Sequence, residues 1–160
     1  MLRLETVLHA TSARSLKQRL ADDAFLRVVV GVPSRNAERE GSDGVNNADL
    51  AYLHEHGGYG GPARPFMAPS VEAAKEDFKH NIKKMILYGK NPKKYLRETG
   101  EEIKNNMIAM IQAGISPGIT EKSFRKRKVN KSDPTPLMDT LGLINALDYE
   151  IRDTNGKVKK

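Results

Sequence analysis

Hydrophobic side chains recur every three or four residues in three long segments of the chain, which is the spacing of a helix with one buried face. The first segment lies within residues 1–24, where arginine and lysine occupy the other face. The second begins at Ser70, whose side chain can cap a helix, and ends near residue 88, and the third begins at Pro92 and ends before Gly114. Proline suits a first helical turn and glycine follows a last one, so the pattern predicts an N-terminal helix and two longer helices.

Two shorter segments have the pattern of strands. Residues 25–32 are rich in β-branched side chains and stop at Pro33, and residues 147–152 alternate between apolar and polar side chains. Because helices separate them, we expect an α+β fold in which the two strands form a small antiparallel sheet packed against the two long helices. A turn at Asn155-Gly156 leaves room for a short third strand at residues 157–159.

Polar, glycine-rich and proline-rich stretches connect these elements and predict extended loops. Residues 34–47 are polar, and residues 57–69 contain four glycines and three prolines. Between these loops, Asn47 or Asp49 can cap a short helix that Gly57 ends.

The length of 160 residues fits one domain, with the N-terminal helix at 1–24, an α+β core at 25–153 and a loose tail at 154–160. The chain has no cysteine, which excludes disulfides, a thiolate metal site and a thiol nucleophile. No hydrophobic run is long enough for a membrane span or a signal peptide, so we expect a soluble chain without an export signal.

The net charge of +7 lies mainly in the C-terminal half of the chain and predicts an anionic partner, either nucleic acid or an acidic protein surface. Lysine and arginine are densest in one stretch, here called the basic segment. It comprises Lys122, Arg125, Lys126, Arg127, Lys128 and Lys131. Such charges can contact phosphates without reading a base sequence, and the alternative interpretation is a solvated basic loop.

Candidate catalytic motifs are weak. His54 and His56 are two residues apart and so lie on different faces of a helix, unlike the His-Glu-x-x-His zinc motif. Packing at a helix end is therefore favoured over a metal or acid–base role. The glycine run at residues 57–61 lacks the Gly-Lys-Ser/Thr ending of a phosphate-binding loop, and no Gly-x-Ser-x-Gly motif is present. We predict a protein that is not an enzyme and has no cofactor.

Four segments, in this order and spacing, carry a resemblance to a known family. They read Val-Val-Val-Gly-Val-Pro at residues 28–33, Asn-Ala-Asp-Leu-Ala-Tyr-Leu-His-Glu-His-Gly at 47–57, Pro-Ala-Arg-Pro-Phe-Met-Ala-Pro at 62–69 and Pro-Leu-Met-Asp-Thr-Leu-Gly-Leu at 136–143. Together they resemble the neck and tail-completion (head–tail joining) proteins of tailed bacteriophages. The chain departs from the family pattern where His56 replaces an aromatic residue and where a leucine separates Asp-Thr from glycine.

This resemblance implies a structural virion protein that is made in the host cytoplasm and joins the tail to the DNA-filled head. It implies a closed ring of about six or twelve identical subunits that contacts the head-side connector, tail proteins and passing DNA, with no membrane partner. A tail-terminator ring and a basic DNA-binding accessory protein are the alternatives, and a metal-dependent nuclease using the two histidines is a distant third. The family motifs map onto His54, Glu55, Gly57, Arg64, Pro65, Phe66, Asp139 and Thr140.

Each of these motif residues has a structural interpretation. Arg64, on an extended backbone between prolines, can project its guanidinium toward a carboxylate such as that of Glu55. Phe66 can anchor its loop in the core. Asp139 and Thr140 can cap a last short helix, which we expect to continue to residue 147.

Overall fold

The architecture of the chain comes from a computed structural model. It describes residues 26–39, 44–58, 60–88, 91–126, 132, 135–137, 141–153 and 155–159. The elements in chain order are strand β1 (Arg27–Gly31), a 3-10 turn (Ser34–Asn36), helices α1 (Asn47–His56), α2 (Met67–Tyr88), α3 (Pro92–Ala113), α4 (Glu121–Arg125) and α5 (Gly142–Ala146), and strand β2 (Asp148–Arg152). The predicted N-terminal helix lies outside the described residues.

Strands β1 and β2 form a two-stranded antiparallel sheet, which confirms the predicted α+β fold and the predicted strand pair. Val29 lies opposite Glu150 at the centre of the register. The predicted third strand is reduced to one isolated bridge between Val158 and Arg152, next to which the Lys159 amide donates to the Ile151 carbonyl at 2.7 Å.

The two long helices are confirmed, and α2 begins three residues before the predicted Ser70. The Ser70 hydroxyl does not cap the helix, because it lies inside the first turn and donates to the Phe66 carbonyl at 2.6 Å. Helix α3 has the predicted limits: the Asn91 side chain accepts from the Lys93 amide at its start, and Gly114 follows its last residue with φ of 87°.

Helix α1 is capped by Asn46, one residue before the predicted Asn47 and three before the predicted Asp49. The Asn46 side chain accepts from the Asp49 amide, and the Asp49 carboxylate accepts from the Asn46 amide. Asn47 has another role: its side-chain amide donates to the carbonyls of Asn36 and Glu38. It thereby ties α1 to the polar segment that follows β1.

Helix α3 lies between the sheet and α2, and Gly100 of this helix lies close to the sheet. A Cβ atom there would lie 2.5 Å from Cδ2 of Tyr149 and 3.0 Å from Cγ2 of Val28. The core continues from this interface to α1 and α5. Its buried members are Ala51, Phe66, Ala74, Ile103, Met107, Ile111, Ile115, Leu143 and Leu147.

The face of the sheet away from α3 is polar and carries an ion network. Glu150 is 8% exposed, and it accepts from the guanidinium groups of both Arg35 and Arg152. Arg35 also pairs with Asp148 at 2.6 Å. The carboxylate of Glu150 can be buried here because two guanidinium groups donate hydrogen bonds to it and balance its charge.

In the part of the chain that the structure describes, no helix is both long enough and apolar enough to cross a membrane.

Candidate functional site

The candidate site is the place where the motif segments meet, and its centre is the Glu55 carboxylate on α1. Glu55 accepts from the backbone amides of Phe66, Met67 and Ala68, each at 2.9 Å. These amides lie at the start of α2, where no carbonyl of the preceding turn is available to them. Pro69 has no amide hydrogen, so the three amides bound by Glu55 are the donors of this first turn. The Glu55 carboxylate also places a negative charge at the positive end of the helix dipole.

Arg64 does not face Glu55, which corrects the sequence prediction. It is 9% exposed, and its Nε and Nη2 donate to the carbonyls of Pro117 and Gly118 at 2.6 and 3.0 Å. The fork of a guanidinium fits two successive carbonyls, and Glu55 is already occupied by amides. The Arg64 amide also donates to the His54 carbonyl at 2.6 Å. Arg64 therefore links α1 to the segment that follows α3.

The neighbouring motif residues shape the loop between α1 and α2. Gly57 ends α1 with φ of 78°, a left-handed conformation, and a Cβ atom there would lie 3.0 Å from the Ala63 amide nitrogen. Phe66 is completely buried, as predicted, while Pro65 is exposed. The loop thus turns back on α1 and is anchored at one end by Phe66.

A cavity of about 180 Å³ opens beside Arg64, where α1, the loop before α2, and the segments before α4 and α5 meet. We call it the Arg64 pocket. Its lining residues are Arg39, Leu50, His54, Arg64, Ile119, Pro136, Leu137 and Leu143.

The electrostatics of the pocket are positive. Burial, together with the charges of Arg64 and Arg39, lowers the pKa of His54 from 6.5 to about 4. At neutral pH the imidazole of His54 is therefore uncharged. The charged lining residues are Arg39 and Arg64, and most of the other lining residues are apolar. Sequence reasoning missed Arg39 because it lies in a polar stretch without periodicity, and nothing in its neighbours indicates a pocket.

The two histidines are separated as the helix spacing predicts. The His54 ring lines the pocket, whereas His56 is exposed and lies with its ring centroid 4.5 Å from that of Tyr52. Among the described residues no group of three or more histidine, aspartate, glutamate or cysteine side chains is arranged to hold a metal ion.

The described part of the basic segment lies apart from these contacts. The start of the segment is a short helix and not a loop. Lys122 and Arg125 are exposed on α4, Lys126 follows it, and Arg125 pairs with Glu121 one turn away. Five predicted site residues lie outside the described residues, namely Arg127, Lys128, Lys131, Asp139 and Thr140. The prediction that Asp139 or Thr140 occupies the cap position of the last helix is wrong, because Leu141 is the N-cap residue of α5 and makes no side-chain capping hydrogen bond. The roles of the three basic residues stay predictions.

Comparison of this chain with protein-family models, with curated proteins and with solved structures finds no match.

Proposed function

We propose that this chain is a structural virion protein of a tailed bacteriophage that forms a ring at the head–tail junction and joins the tail to the DNA-filled head. It is made in the host cytoplasm and ends in the neck of the particle. The proposal combines the resemblance of four sequence segments to neck and tail-completion proteins with the way these segments come together in the fold.

The observation that carries the proposal is the convergence of all four segments, which are distant in sequence. Glu55 of the second segment holds the backbone of the third. Met67 of the third lies beside Gly31 of the first, with its sulfur 3.9 Å from the position of a glycine Cβ. Residues of the second, third and fourth segments line the Arg64 pocket. Because the four segments contact one another in the fold, we treat the four short motifs as one signature.

The polar motif residues also support a structural role. Glu55 is engaged with three backbone amides and Arg64 with two backbone carbonyls. Side chains whose polar atoms are hydrogen-bonded to the backbone fix loops in place, and they are poor general acids or bases. A rigid arrangement of loops is what a subunit needs to present the same surfaces to each neighbour in a closed ring.

The exposed charges of α4 support contact with an anionic partner. Lys122 and Arg125 on α4, and Lys126 directly after it, are exposed and do not pack into the core. In a ring at the neck such side chains would meet passing DNA or an acidic neighbouring protein. A basic DNA-binding accessory protein is the second candidate, favoured by the net charge of +7.

The direct test is a phage in which a stop codon interrupts this gene, grown without and with a suppressor. The proposal predicts that electron micrographs of the lysate without suppressor show DNA-filled heads and completed tails that are not joined, and that the suppressor restores virions. Normal virions without the suppressor would contradict the proposal. Loss of DNA synthesis with no heads or tails would instead favour the DNA-binding accessory protein.

A further inference from the structure

We infer that the Arg64 pocket binds a carboxylate carried on a short apolar stem, supplied by an acidic residue or chain terminus of a neighbouring protein in the assembly. The identity of the partner as a protein chain rests on the proposed function. The binding chemistry itself follows from the pocket.

The charge of Arg64 is the first argument. Its guanidinium is buried and oriented by two backbone carbonyls, which are neutral and leave the unit positive charge of the side chain in the cavity wall. Among the described residues no acidic side chain forms an ion pair with Arg64, and none lines the pocket. A buried guanidinium that is rigidly held and faces a cavity is well suited to recognise an anion.

The walls of the pocket decide which anion fits. Five of its eight lining residues are apolar, namely Leu50, Ile119, Pro136, Leu137 and Leu143. An inorganic phosphate would leave these walls uncovered, whereas a carboxylate on a short alkyl stem covers them and meets the arginine. A cavity of about 180 Å³ is small for a nucleotide and is of the order of one side chain.

His54 completes the pocket as a neutral side chain. Burial and the charges of Arg64 and Arg39 lower its pKa, so the empty site carries no imidazolium at neutral pH. A bound carboxylate would offset those charges and raise the pKa of His54. Glu55, the neighbouring residue on α1, is directed to the amides at the start of α2 and does not line the pocket. His54 therefore gives a local signal that reports on binding.

The test uses nuclear magnetic resonance on the full isolated chain, with isovalerate as the probe. We expect saturable shifts of the His54 ring and Arg64 side-chain signals, and a His54 titration midpoint that rises when isovalerate is present. The uncharged amide isovaleramide and inorganic phosphate are the comparison ligands. Equal or larger shifts with either of them, or no saturable shift with isovalerate, would overturn the inference.

The variant Arg39→Gln tests the electrostatic part without removing the two carbonyl contacts of Arg64. We expect it to weaken isovalerate binding about threefold or more. The matched control Arg97→Gln removes the same charge from an exposed position of α3 and should leave binding unchanged. Equal weakening by both variants would show a nonspecific charge effect and contradict a site at the pocket.

Failure of this test and failure of the proposed function are distinguishable. The binding experiment uses the isolated chain, while the interrupted gene tests joining of heads and tails. Unjoined heads and tails together with no isovalerate binding would overturn the pocket inference alone.

Discussion

At the scale of single residues, the Glu55 side chain holds together two segments of the chain through hydrogen bonds. One carboxylate meets three backbone amides eleven to thirteen positions further along the chain. It thereby fixes the start of α2 and the position of the segment 62–69 relative to α1. The same contact explains why Arg64 turns away from Glu55 and toward the segment after α3.

We predict that Glu55→Ala lowers the free energy of unfolding by about 2 kcal/mol, because it leaves amides at a helix start without their charged acceptor. Urea denaturation measures the change. The control Glu72→Ala removes an exposed carboxylate from α2, the helix that Glu55 caps. Glu72 pairs with Lys75 at the surface, and its loss should cost less than about 0.5 kcal/mol. Similar losses in both variants would contradict a capping role for Glu55.

The second prediction at this scale concerns pH. The pKa of His54 is about 4 in the folded chain and 6.5 as the ordinary value, so between these values the unfolded state binds a proton that the folded state does not. The contribution of His54 to the free energy of unfolding is therefore fully present above a pH of about 6.5, and it is lost as the pH is lowered toward about 4.

Thermal unfolding of the chain and of His54→Gln across this pH range measures the effect. The variant should lose the part of the pH dependence that comes from His54, while His56→Gln, which changes an exposed ring, should keep it. An unchanged pH dependence in His54→Gln would refute the assignment to His54.

At the scale of elements, the contact of α3 with the sheet depends on the absence of a side chain at Gly100. Alanine normally stabilises a helix interior by about 1 kcal/mol relative to glycine. Here the added Cβ would lie 2.5 Å from the ring of Tyr149, so α3 and β2 would have to separate.

We predict that Gly100→Ala destabilises the chain by about 1–3 kcal/mol despite the gain in helix propensity. Gly118 offers a matched control, since a Cβ there meets nothing within 4 Å, and Gly118→Ala should change stability by less than about 0.5 kcal/mol. A stabilising Gly100→Ala would show that the helix does not approach the sheet as described.

The elements show what the sequence can predict and what it cannot. The limits of α3 and the pairing of β1 with β2 follow from local signals: a proline and a glycine at the helix ends, and β-branched or alternating residues in the strands. The start of α2 at Met67 does not, because its cap comes from Glu55 on another helix. Local rules instead favoured Ser70, the nearest residue with a capping side chain.

The sequence predicts which residues belong to the candidate site better than it predicts what those residues contact. The sequence singles out Glu55, Arg64 and Phe66, and the structure shows backbone contacts of Glu55 and Arg64 and the burial of Phe66. The partners of Arg64 lie more than fifty residues away and are backbone carbonyls, which no side-chain pattern marks. The sequence does not indicate Arg39 as a site residue, because only the fold of the chain brings it near His54 and Arg64.

At the scale of the whole molecule, the basic surface at α4 is the feature by which we expect the subunit to meet DNA or an acidic neighbour. The double variant Lys122→Glu and Lys126→Glu should reduce the yield of infectious particles at least about tenfold in a complementation assay, since it replaces attraction by repulsion. The double variant Lys83→Glu and Lys84→Glu changes the net charge equally on exposed residues of α2 and should leave the yield near that of the unchanged chain. Equal yields from the two would exclude a specific role for α4.

The central claim is that this chain is a ring-forming component of the particle, and quantitative mass spectrometry of gradient-purified particles tests it most directly. The number of copies is counted against the portal and the major tail protein of the same particles. A closed ring predicts a constant stoichiometry of about six to twelve copies per particle. Absence of the chain from infectious particles, or a copy number that varies between preparations, would contradict the claim.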